Sequence, residues 1–316
     1  MKALVLKNRR LDVDEIPDPV HSEEDALIKV IKAGICNTDI ELVRGYMDFE
    51  GVPGHEFVGQ VIQAKEREWV GKRVVGEINI SCGECETCLQ GNEKHCSSRT
   101  VLGISGKNGA FAELLTLPLK NLHLVPDSIP DSEAVFVEPL AAALQILEQV
   151  PIQERDTVLV LGDGKLGLLA AQAMRMETRN VSCWGKHDRK LAILRNKGIL
   201  TSLTAQKADR SFDVVIEATG NEKGVKEALR MVRPGGTVVL KSTFVGQPRL
   251  DISKIIVDEI HLIGSRCGPF KKAIDVLRRK AVVIEKMVDG DFPLEKAQKA
   301  FRLAQESEVI KILLTP

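Results

Sequence analysis

The chain has 316 residues, enough for two domains of ordinary size, and its 44 basic side chains are balanced by 44 acidic ones. A formal charge of zero argues against a broad surface for nucleic acid or for an acidic membrane. The segment Met1–Lys7 has too few apolar residues for a signal peptide, and no apolar run approaches the roughly 20 residues that cross a bilayer. We therefore expect a soluble protein of the reducing cytoplasm.

Residues 1–148 are predicted to form a β-rich first domain. Short apolar runs there are separated by glycine, proline and acidic residues, a pattern typical of strands joined by turns. The runs are Ala26–Ile31, Phe57–Ile62, Arg73–Val75 and Phe111–Leu117. The first long helix is predicted at Asp131–Val150, where a serine and a glutamate provide a start signal.

Four cysteines of this domain, separated by two, two and seven residues, predict a structural zinc lobe. They are Cys82, Cys85, Cys88 and Cys96. Two-residue gaps let neighbouring sulfurs turn towards one ion, and four thiolates complete the tetrahedron that Zn²⁺ prefers. The other residues of the lobe are small or polar, so metal coordination would have to supply its folding energy. Two disulfides are the alternative, which is disfavoured because nothing else in the chain suggests an oxidising compartment.

Strands and helices alternate through residues 149–268, which predicts a parallel sheet covered on both faces. The predicted strands are Thr157–Leu161, Val181–Trp184, Phe212–Ala218, Thr237–Lys241 and His261–Gly264. The predicted helices are Leu166–Met176, Arg189–Asn196 and Lys223–Val232. Residues 269–316 return to mixed character, with an amphipathic helix at Leu294–Gln305 and a last strand at Ile310–Leu314.

The turn Gly162-Asp-Gly-Lys-Leu-Gly167 predicts a dinucleotide site, because it follows a buried strand and begins a helix. Gly162 makes the tight turn, Gly164 admits a pyrophosphate, and Gly167 packs the helix on the strand. The helix N-terminus, including Lys165 and Leu166, then offers free N–H groups to phosphates. Thr219, at the end of a later strand, is a weaker candidate. A glycine-rich turn without a ligand is the alternative. The Asp163 side chain is expected to point away from the phosphates.

A second, mixed set of metal-binding side chains is spread along the first domain: Cys36, His55, Glu56 and Glu138. Catalytic zinc sites use three protein ligands of such mixed types and leave a position for water or substrate. Taken singly, Cys36 is more often a small buried residue, and His55 is more often a packed core histidine. Their occurrence together with a thiolate lobe and a dinucleotide turn favours a catalytic metal site.

These motifs resemble those of the zinc-dependent medium-chain alcohol dehydrogenases, in the polyol (sorbitol) and threonine dehydrogenase-like branch. The resemblance covers nearly the whole chain. It is carried by Gly54-His-Glu-Phe-Val-Gly59, the four-cysteine lobe, Gly109-Ala-Phe-Ala-Glu113, Glu138-Pro-Leu140 and the turn Gly162–Gly167. It implies a GroES-like catalytic domain (residues 1–148, joined again by 269–316), a Rossmann domain at 149–268, and a catalytic zinc in the cleft between them.

The resemblance also implies roles for single residues. Cys36 and His55 match zinc ligands, and Glu56 matches a carboxylate that binds the metal or lies behind it. Glu138 matches a glutamate that faces the zinc directly or through water, and the choice between the two glutamates stays open. Thr38 matches the hydroxyl that takes the substrate proton.

Two further residues are implied to contact the cofactor: Lys311 near the pyrophosphate, and Ser265, which begins a segment beside the nicotinamide. Two departures from the family pattern stand out. Glu41 occupies the position where relatives often have a proton-relaying histidine, and the chain is short for the family. The substrate therefore cannot be taken over from any one relative.

The implied reaction is zinc-assisted hydride transfer between a secondary alcohol or polyol, or the matching carbonyl compound, and a nicotinamide cofactor. Two Zn²⁺ per chain and a homodimer or homotetramer are expected. One alternative is a zinc-free quinone reductase of the same superfamily, which would leave Cys36, His55 and Glu138 without a role. The other is a non-catalytic zinc-lobe regulator that binds nucleotide or nucleic acid.

The end of the second Rossmann strand predicts a preference for NADP(H) over NAD(H). NAD-dependent folds place an acidic residue there to bind the ribose hydroxyls. Here the position is Gly185, which would leave room for a 2′-phosphate, and Lys186 and Arg189 would pair with it. The alternative is that Asp188 reaches back to the ribose and the basic residues are ordinary charges at a helix start.

Overall fold

The computed structural model describes residues 1–203, 211–242 and 249–316, which divide into two compact units. Unit 1 comprises Met1–Glu138, Ala273–Arg279 and Ile284–Pro316, and unit 2 comprises Pro139–Lys272 and Lys280–Val283. The first observed change of unit, after Glu138, lies ten residues before the predicted boundary at 148, and the return to unit 1 after Lys272 is interrupted by Lys280–Val283 of unit 2. Each unit has a sheet of its own, and no helix among the described residues has the length and apolar character that a bilayer crossing needs.

The elements are numbered in chain order. The strands are β1 (Lys2–Lys7), β2 (Arg10–Glu15), β3 (Asp25–Gly34), β4 (Glu56–Gln63), β5 (Arg73–Gly76), β6 (Asn79–Ile80), β7 (Thr100–Leu102), β8 (Gly106–Lys107), β9 (Leu114–Pro118), β10 (Leu122–Leu124), β11 (Val158–Leu161), β12 (Val181–Trp184), β13 (Leu200–Ser202), β14 (Phe212–Glu217), β15 (Val232–Leu240), β16 (His261–Gly264), β17 (Val288–Pro293) and β18 (Lys311–Thr315). The α-helices are α1 (Asn37–Val43), α2 (Glu86–Leu89), α3 (Asp131–Ala134), α4 (Val137–Gln149), α5 (Lys165–Met174), α6 (Asp188–Arg195), α7 (Glu222–Met231), α8 (Ile252–Val257), α9 (Phe270–Arg278) and α10 (Ala297–Ala304).

The main sheet of unit 1 brings three chain segments to one place. Its strand order is β10-β5-β4-β3-β18-β17, and a seventh strand, β9, also pairs with β3. Strand β3 is antiparallel to both β4 and β18, and Gly34 at its end lies opposite Glu56 of β4 and Leu313 of β18. The end of β3, the start of β4 and the start of β18 therefore meet at the same edge of the sheet.

The sheet of unit 2 is entirely parallel, in the order β13-β12-β11-β14-β15-β16. This is the 3-2-1-4-5-6 order of Rossmann dinucleotide-binding folds, in which the order reverses between the first and fourth strands. The four residues of β11 are all buried and apolar, as expected for a central parallel strand with helices on both faces. The predicted doubly wound parallel sheet is confirmed.

The structure adds elements that the sequence patterns did not predict. Strand β13 has only three residues and one of its side chains is exposed, so it shows no apolar run. The predicted helix at Asp131–Val150 is divided into α3 and α4, and the predicted helix at Leu294–Gln305 begins with a 3₁₀ turn before α10. Helices α8 and α9 were also not predicted. Helix α8 carries exposed apolar residues and has no clear amphipathic pattern.

Candidate active site

Cys36, His55 and Glu56 lie together in unit 1, with one potential ligand atom of each within 4.8 Å of the others. Cys36 is the N-cap residue of α1, and Glu56 is the first residue of β4. His55 and Glu56 are buried, whereas Cys36 is half-buried. A thiol, an imidazole and a carboxylate at this spacing form a donor set that suits a zinc ion with one side open.

Asp39 holds this arrangement in place from the first turn of α1. Its Oδ2 accepts a hydrogen bond of 2.8 Å from the backbone N–H of Cys36, and its Oδ1 accepts one of 3.3 Å from the N–H of Gly54. Oδ1 also lies 3.2 Å from Nδ1 of His55. A carboxylate behind a metal-binding histidine fixes the orientation of the ring. Asp39 was not predicted as a site residue, although an acid at the third helical position was a readable capping signal.

The imidazole of His55 fits a bound cation. Nδ1 is buried and lies 3.2 Å from Oδ1 of Asp39, so this side of the ring faces the carboxylate and the other ring nitrogen is left for a cation. Burial lowers the pKa of His55, but the Asp39 carboxylate and Cys36 outweigh it, so that the pKa stands well above its ordinary value. The metal-free site therefore favours a protonated ring, and a bound metal ion would replace that proton.

Glu56 forms a buried ion pair with Lys311 of β18. The ammonium Nζ donates to Oε2 of Glu56 and, at 3.1 Å, to the backbone carbonyl of Ile35. The same Nζ lies 5.5 Å from the centre of the Phe136 ring. Lys311 was expected near the cofactor pyrophosphate. The structure instead buries its charge behind the metal-binding cluster, where it offsets the charge of Glu56.

Gly34 is a glycine because Glu56 and Lys311 approach it closely. A Cβ at this position would lie 3.0 Å from Oε2 of Glu56, 3.1 Å from Nζ of Lys311 and 2.7 Å from Cγ1 of Val135. The absence of a side chain at this position is thus required most strongly by Val135 and also by the ion pair.

Of the other two predicted site residues, Thr38 lies beside the cluster of three, and Glu138 is not part of it. Thr38 is half-buried on α1, with Oγ1 3.8 Å from the sulfur of Cys36. Glu138 is half-buried in the first turn of α4 and is not among the described residues that meet at Cys36, His55 and Glu56. Its role as a ligand stays a prediction.

The four cysteines of the lobe have the geometry of a tetrahedral metal site. Four sulfur–sulfur distances are 3.9 Å for Cys82–Cys88, 3.4 Å for Cys85–Cys88, 3.8 Å for Cys85–Cys96 and 3.5 Å for Cys82–Cys96. Zn–S bonds of about 2.3 Å require sulfur–sulfur edges of about 3.8 Å, whereas a disulfide needs about 2.05 Å. All four cysteines are free thiols, so the disulfide alternative does not describe this structure.

Backbone groups of the lobe favour the thiolate form of one ligand. Hydrogen bonds from the backbone of Glu84 and Cys85 lower the pKa of Cys82 to about 6. Burial, in contrast, raises the pKa of Cys88 to about 12, and the neighbouring sulfur of Cys85 adds to this effect. Four sulfurs packed this closely cannot all ionise without a cation between them, and Zn²⁺ would provide that charge.

In unit 2, the glycine turn between β11 and α5 has the conformation that its sequence predicted. Gly162 has a φ of +112°, which favours glycine, and Gly167 packs so closely that a Cβ would overlap the carbonyl oxygen of Gly162. Gly164 differs, because a Cβ there would meet no atom within 4 Å. Open space over the first turn of α5, which starts at Lys165 and Leu166, fits a pyrophosphate on the free N–H groups.

The end of β12 differs from the sequence prediction. The Asp163 side chain lies over Gly185, so that a Cβ at 185 would overlap the carbon atoms and Oδ2 of Asp163. Gly185 therefore does not leave room for a phosphate, because a carboxylate from the neighbouring turn fills that space. Lys186 and Arg189 are exposed, as a contact with a phosphate would require.

Two other predicted cofactor residues, Thr219 and Ser265, form hydrogen bonds with neighbouring side chains. The N–H and hydroxyl of Thr219 donate to Oε1 of Glu217, at 2.7 and 2.5 Å. The hydroxyl of Ser265 accepts at 3.2 Å from the buried Nζ of Lys241, which also donates to two backbone carbonyl groups. Lys241 was not predicted. Its only sequence signal was its place directly after a buried strand.

Comparison with known proteins identifies the two parts of the chain. Residues 22–127 match the alcohol dehydrogenase GroES-like domain, and residues 132–315 match the glucose dehydrogenase C-terminus. The sorbitol dehydrogenase of Halalkalibacterium halodurans is 30% identical over 100% of this chain and 99% of its own length.

Two solved structures are similar over the whole chain. A zinc-binding dehydrogenase structure from Sinorhizobium meliloti 1021, bound to NADP, is 28% identical with a TM-score of 0.91, covering 100% of this chain and 99% of the other. An alcohol dehydrogenase (rspB) from Escherichia coli CFT073, complexed with NADH, is 26% identical with a TM-score of 0.90 and the same coverage.

Proposed function

The chain belongs to the zinc-type medium-chain alcohol dehydrogenase family, and we propose that it oxidises a secondary alcohol or polyol, or reduces the matching carbonyl compound, with a nicotinamide cofactor. The observation that carries this proposal is the cluster of Cys36, His55 and Glu56, whose potential ligand atoms lie within 4.8 Å of one another, with Asp39 behind the imidazole ring. The open space above Gly164 supports a dinucleotide on the Rossmann sheet of the same chain.

Each protein group has a distinct part in the proposed reaction. Cys36, His55 and one of Glu56 or Glu138 would hold a catalytic zinc. When bound, zinc supplies Lewis-acid polarisation of the substrate oxygen, and the nicotinamide exchanges hydride with the carbinol carbon. Asp39 keeps the imidazole oriented, and burial of the cluster excludes competing water.

Thr38 is the proposed proton carrier. Its hydroxyl accepts the proton of the substrate alcohol while its own proton passes on, and the carbonyl-reducing direction reverses these transfers. Glu41, one turn further along α1, is half-buried and accepts a 2.7 Å hydrogen bond from Arg44. It is placed on the helix where relatives carry a histidine, so we propose that the proton leaves the site past Glu41.

The chain is proposed to contain two zinc ions, the catalytic one and one in the cysteine lobe. The lobe geometry supports the second, because four of the six sulfur–sulfur distances, between 3.4 and 3.9 Å, are near the tetrahedral value of about 3.8 Å. A thiolate lobe needs reducing conditions, which supports a cytoplasmic location.

A homodimer or homotetramer is proposed from the open edge of unit 2. Strand β16 ends the described sheet, and Leu262 on it is partly exposed. Helix α8 nearby in the chain exposes Ile252, Ile256 and Val257, three apolar side chains of one short helix. An unpaired strand edge next to apolar residues is a suitable surface for a second copy.

The choice between NADP(H) and NAD(H) is a separate question, because similar structures hold either cofactor. The sequence prediction of NADP(H) is supported by the exposed Lys186 and Arg189. The position of Asp163, against Gly185, opposes it.

The test is a panel of polyols, sugars, amino alcohols and aromatic alcohols with both oxidised cofactors, monitored by the absorbance of the reduced nicotinamide. We expect turnover of at least one polyol or secondary alcohol, and its loss in Cys36→Ser. Turnover of quinones that persists in Cys36→Ser would instead identify the zinc-free alternative. If no compound is turned over although both zinc ions and cofactor are bound, the proposed function is wrong.

A further inference from the structure

We infer that Asp163 selects the cofactor: its carboxylate takes the place of the ribose-binding acid at the end of the second Rossmann strand and favours NAD(H) over NADP(H). This inference rests on the proposed function and reverses the preference that the sequence suggested. It assigns to this chain an acid that arises from the glycine turn rather than from the strand on which such an acid is usually found.

The first step is the position of the side chain. Asp163 follows β11, and Gly185 follows the neighbouring parallel strand β12, with Leu161 and Trp184 paired across the two strand ends. A Cβ on Gly185 would overlap Cβ, Cγ and Oδ2 of Asp163. The Asp163 carboxyl group thus starts where the side chain of an acidic residue at 185 would start. Residue 185 must be glycine because the Asp163 side chain fills the adjacent space. This glycine is therefore not evidence of room for a phosphate.

The second step is what the carboxylate already binds. Oδ2 of Asp163 accepts from the backbone N–H of Lys186 at 2.7 Å, from the N–H of His187 at 2.6 Å, and from Nδ1 of His187 at 3.0 Å. Successive backbone N–H groups of this kind form a concave site for an anion. Here the anion belongs to the protein, so the donors nearest to the strand end are no longer available to a phosphate.

The third step concerns the other oxygen. Oδ1 of Asp163 accepts no hydrogen bond from any residue in the described ranges, and the side chain is 9% exposed. An ionised carboxylate only accepts hydrogen bonds, so a ribose hydroxyl can donate to it and a 2′-phosphate is repelled by it.

The remaining charges near the strand end do not supply an equivalent acid. Asp188 is turned towards Arg195, with Oδ1 2.9 Å from Nη1 and from Nη2, and its pKa is lowered by that hydrogen bond. The alternative in which Asp188 reaches back to the ribose therefore does not describe this structure. Lys186 and Arg189 are exposed, so a phosphate could reach them, but water and salt would weaken that attraction and the Asp163 carboxylate would oppose it.

The experiment measures cofactor binding without turnover, by titrating the fluorescence of NADH and NADPH with the zinc-loaded protein. A hydrogen bond to a charged group changes binding by about tenfold or more, so we expect wild-type protein to bind NADH at least about tenfold more tightly. Asp163→Asn keeps an oxygen for the N–H groups of Lys186 and His187 but removes the charge. It should reduce the NADH/NADPH preference by about tenfold. Asp188→Asn is the matched control, which removes a carboxylate three residues from Gly185 and should leave the preference unchanged.

Adenosine 5′-monophosphate and adenosine 2′,5′-bisphosphate, used as competitors on wild-type protein, repeat the test without a substitution. Weaker competition by the bisphosphate supports the inference even where Asp163→Asn fails to fold. Tighter binding of NADPH or of the bisphosphate by wild-type protein overturns it, as does an unchanged preference in a folded Asp163→Asn variant. Failure to bind either dinucleotide overturns the proposed function itself, and with it any claim about selection.

Discussion

The ammonium group of Lys311 and the carboxylate of Glu56 form an ion pair in which both side chains are completely excluded from solvent. The two residues are 255 positions apart in sequence and meet because β3 lies between β4 and β18. A buried pair of this kind contributes little net stability by itself, but loss of one partner leaves an uncompensated charge. The pair therefore makes the position of Glu56, beside the proposed metal, depend on the last strand of the chain.

Replacement of Lys311 by methionine should destabilise unit 1 by about 3–5 kcal/mol, because the Glu56 carboxylate stays buried without its partner. Urea unfolding of metal-free protein measures this effect without any contribution from zinc. Lys299→Met is the control: Lys299 is exposed on α10, its Nζ lies 5.9 Å from the centre of the Phe292 ring, and its replacement should change stability by no more than about 1 kcal/mol. The double variant Lys311→Met with Glu56→Gln should recover part of the loss. Equal stability of the Lys311 and Lys299 variants would contradict the charge argument.

Elemental analysis of protein purified without added metal should find close to two zinc ions per chain. Cys36→Ser should remove one of them and leave the lobe occupied, because the two ligand sets share no residue. Cys267→Ser, a change at a half-buried cysteine outside both sets, should retain both ions. A wild-type content near one that Cys36→Ser leaves unchanged would remove the catalytic metal from the proposal.

Parts of the fold and of the candidate site could be predicted from the sequence where the interactions that form them are local. The lobe from Cys82 to Cys96 and the turn from Gly162 to Gly167 were predicted, because each is a short motif whose spacing already fixes its chemistry. The partner of Lys311 was not predicted, since only the strand order brings Glu56 to it.

The end of β12 shows the same limit. Gly185 and Lys186 were interpreted along the chain, but their environment is set by Asp163 in the glycine turn that follows the neighbouring strand. A glycine can mark room for a ligand or room for another side chain, and the sequence pattern of the strand alone does not distinguish the two.

Substitutions in the two metal sites should separate stability from turnover. Cys88→Ser removes a buried ligand of the lobe and should lower the thermal unfolding temperature and the soluble yield before it affects turnover. Glu138→Ala should do the reverse, reducing kcat by about tenfold to 100-fold or more while the fold stays intact. Thermal unfolding and steady-state kinetics on both variants give the comparison. A Cys88→Ser variant that keeps wild-type stability after chelation would show that metal does not hold the lobe.

Asp39→Asn should weaken zinc binding at the catalytic site by about tenfold to 100-fold, because the ring of His55 loses the carboxylate behind it. Asparagine still has an oxygen for the N–H of Cys36, so α1 should keep its N-terminal cap. Competition with a chelator measures the affinity. Asp14→Asn, at an exposed position of β2, is the control and should leave the zinc affinity unchanged. Unaltered affinity in Asp39→Asn would assign the carboxylate to helix capping alone.

Asp213 should make the free energy of unfolding of unit 2 depend on pH. Its carboxylate accepts hydrogen bonds from the N–H and hydroxyl of Thr157 and from Nε of Arg233, at 2.8, 2.7 and 2.7 Å. Burial raises its pKa, but these bonds outweigh it and lower the pKa to about 2. Because the folded pKa is below the unfolded one, the stabilisation of about 2 kcal/mol is present above pH ~4 and is lost as the pH falls towards ~2. Unfolding of wild-type and Asp213→Asn protein between pH 7 and 2 should therefore give a difference that shrinks through this window. Asp275→Asn, at an exposed carboxylate paired with Arg278 on α9, is the control and should give a much smaller difference. A stability difference between wild-type and Asp213→Asn protein that stays constant with pH would show that packing rather than charge is responsible.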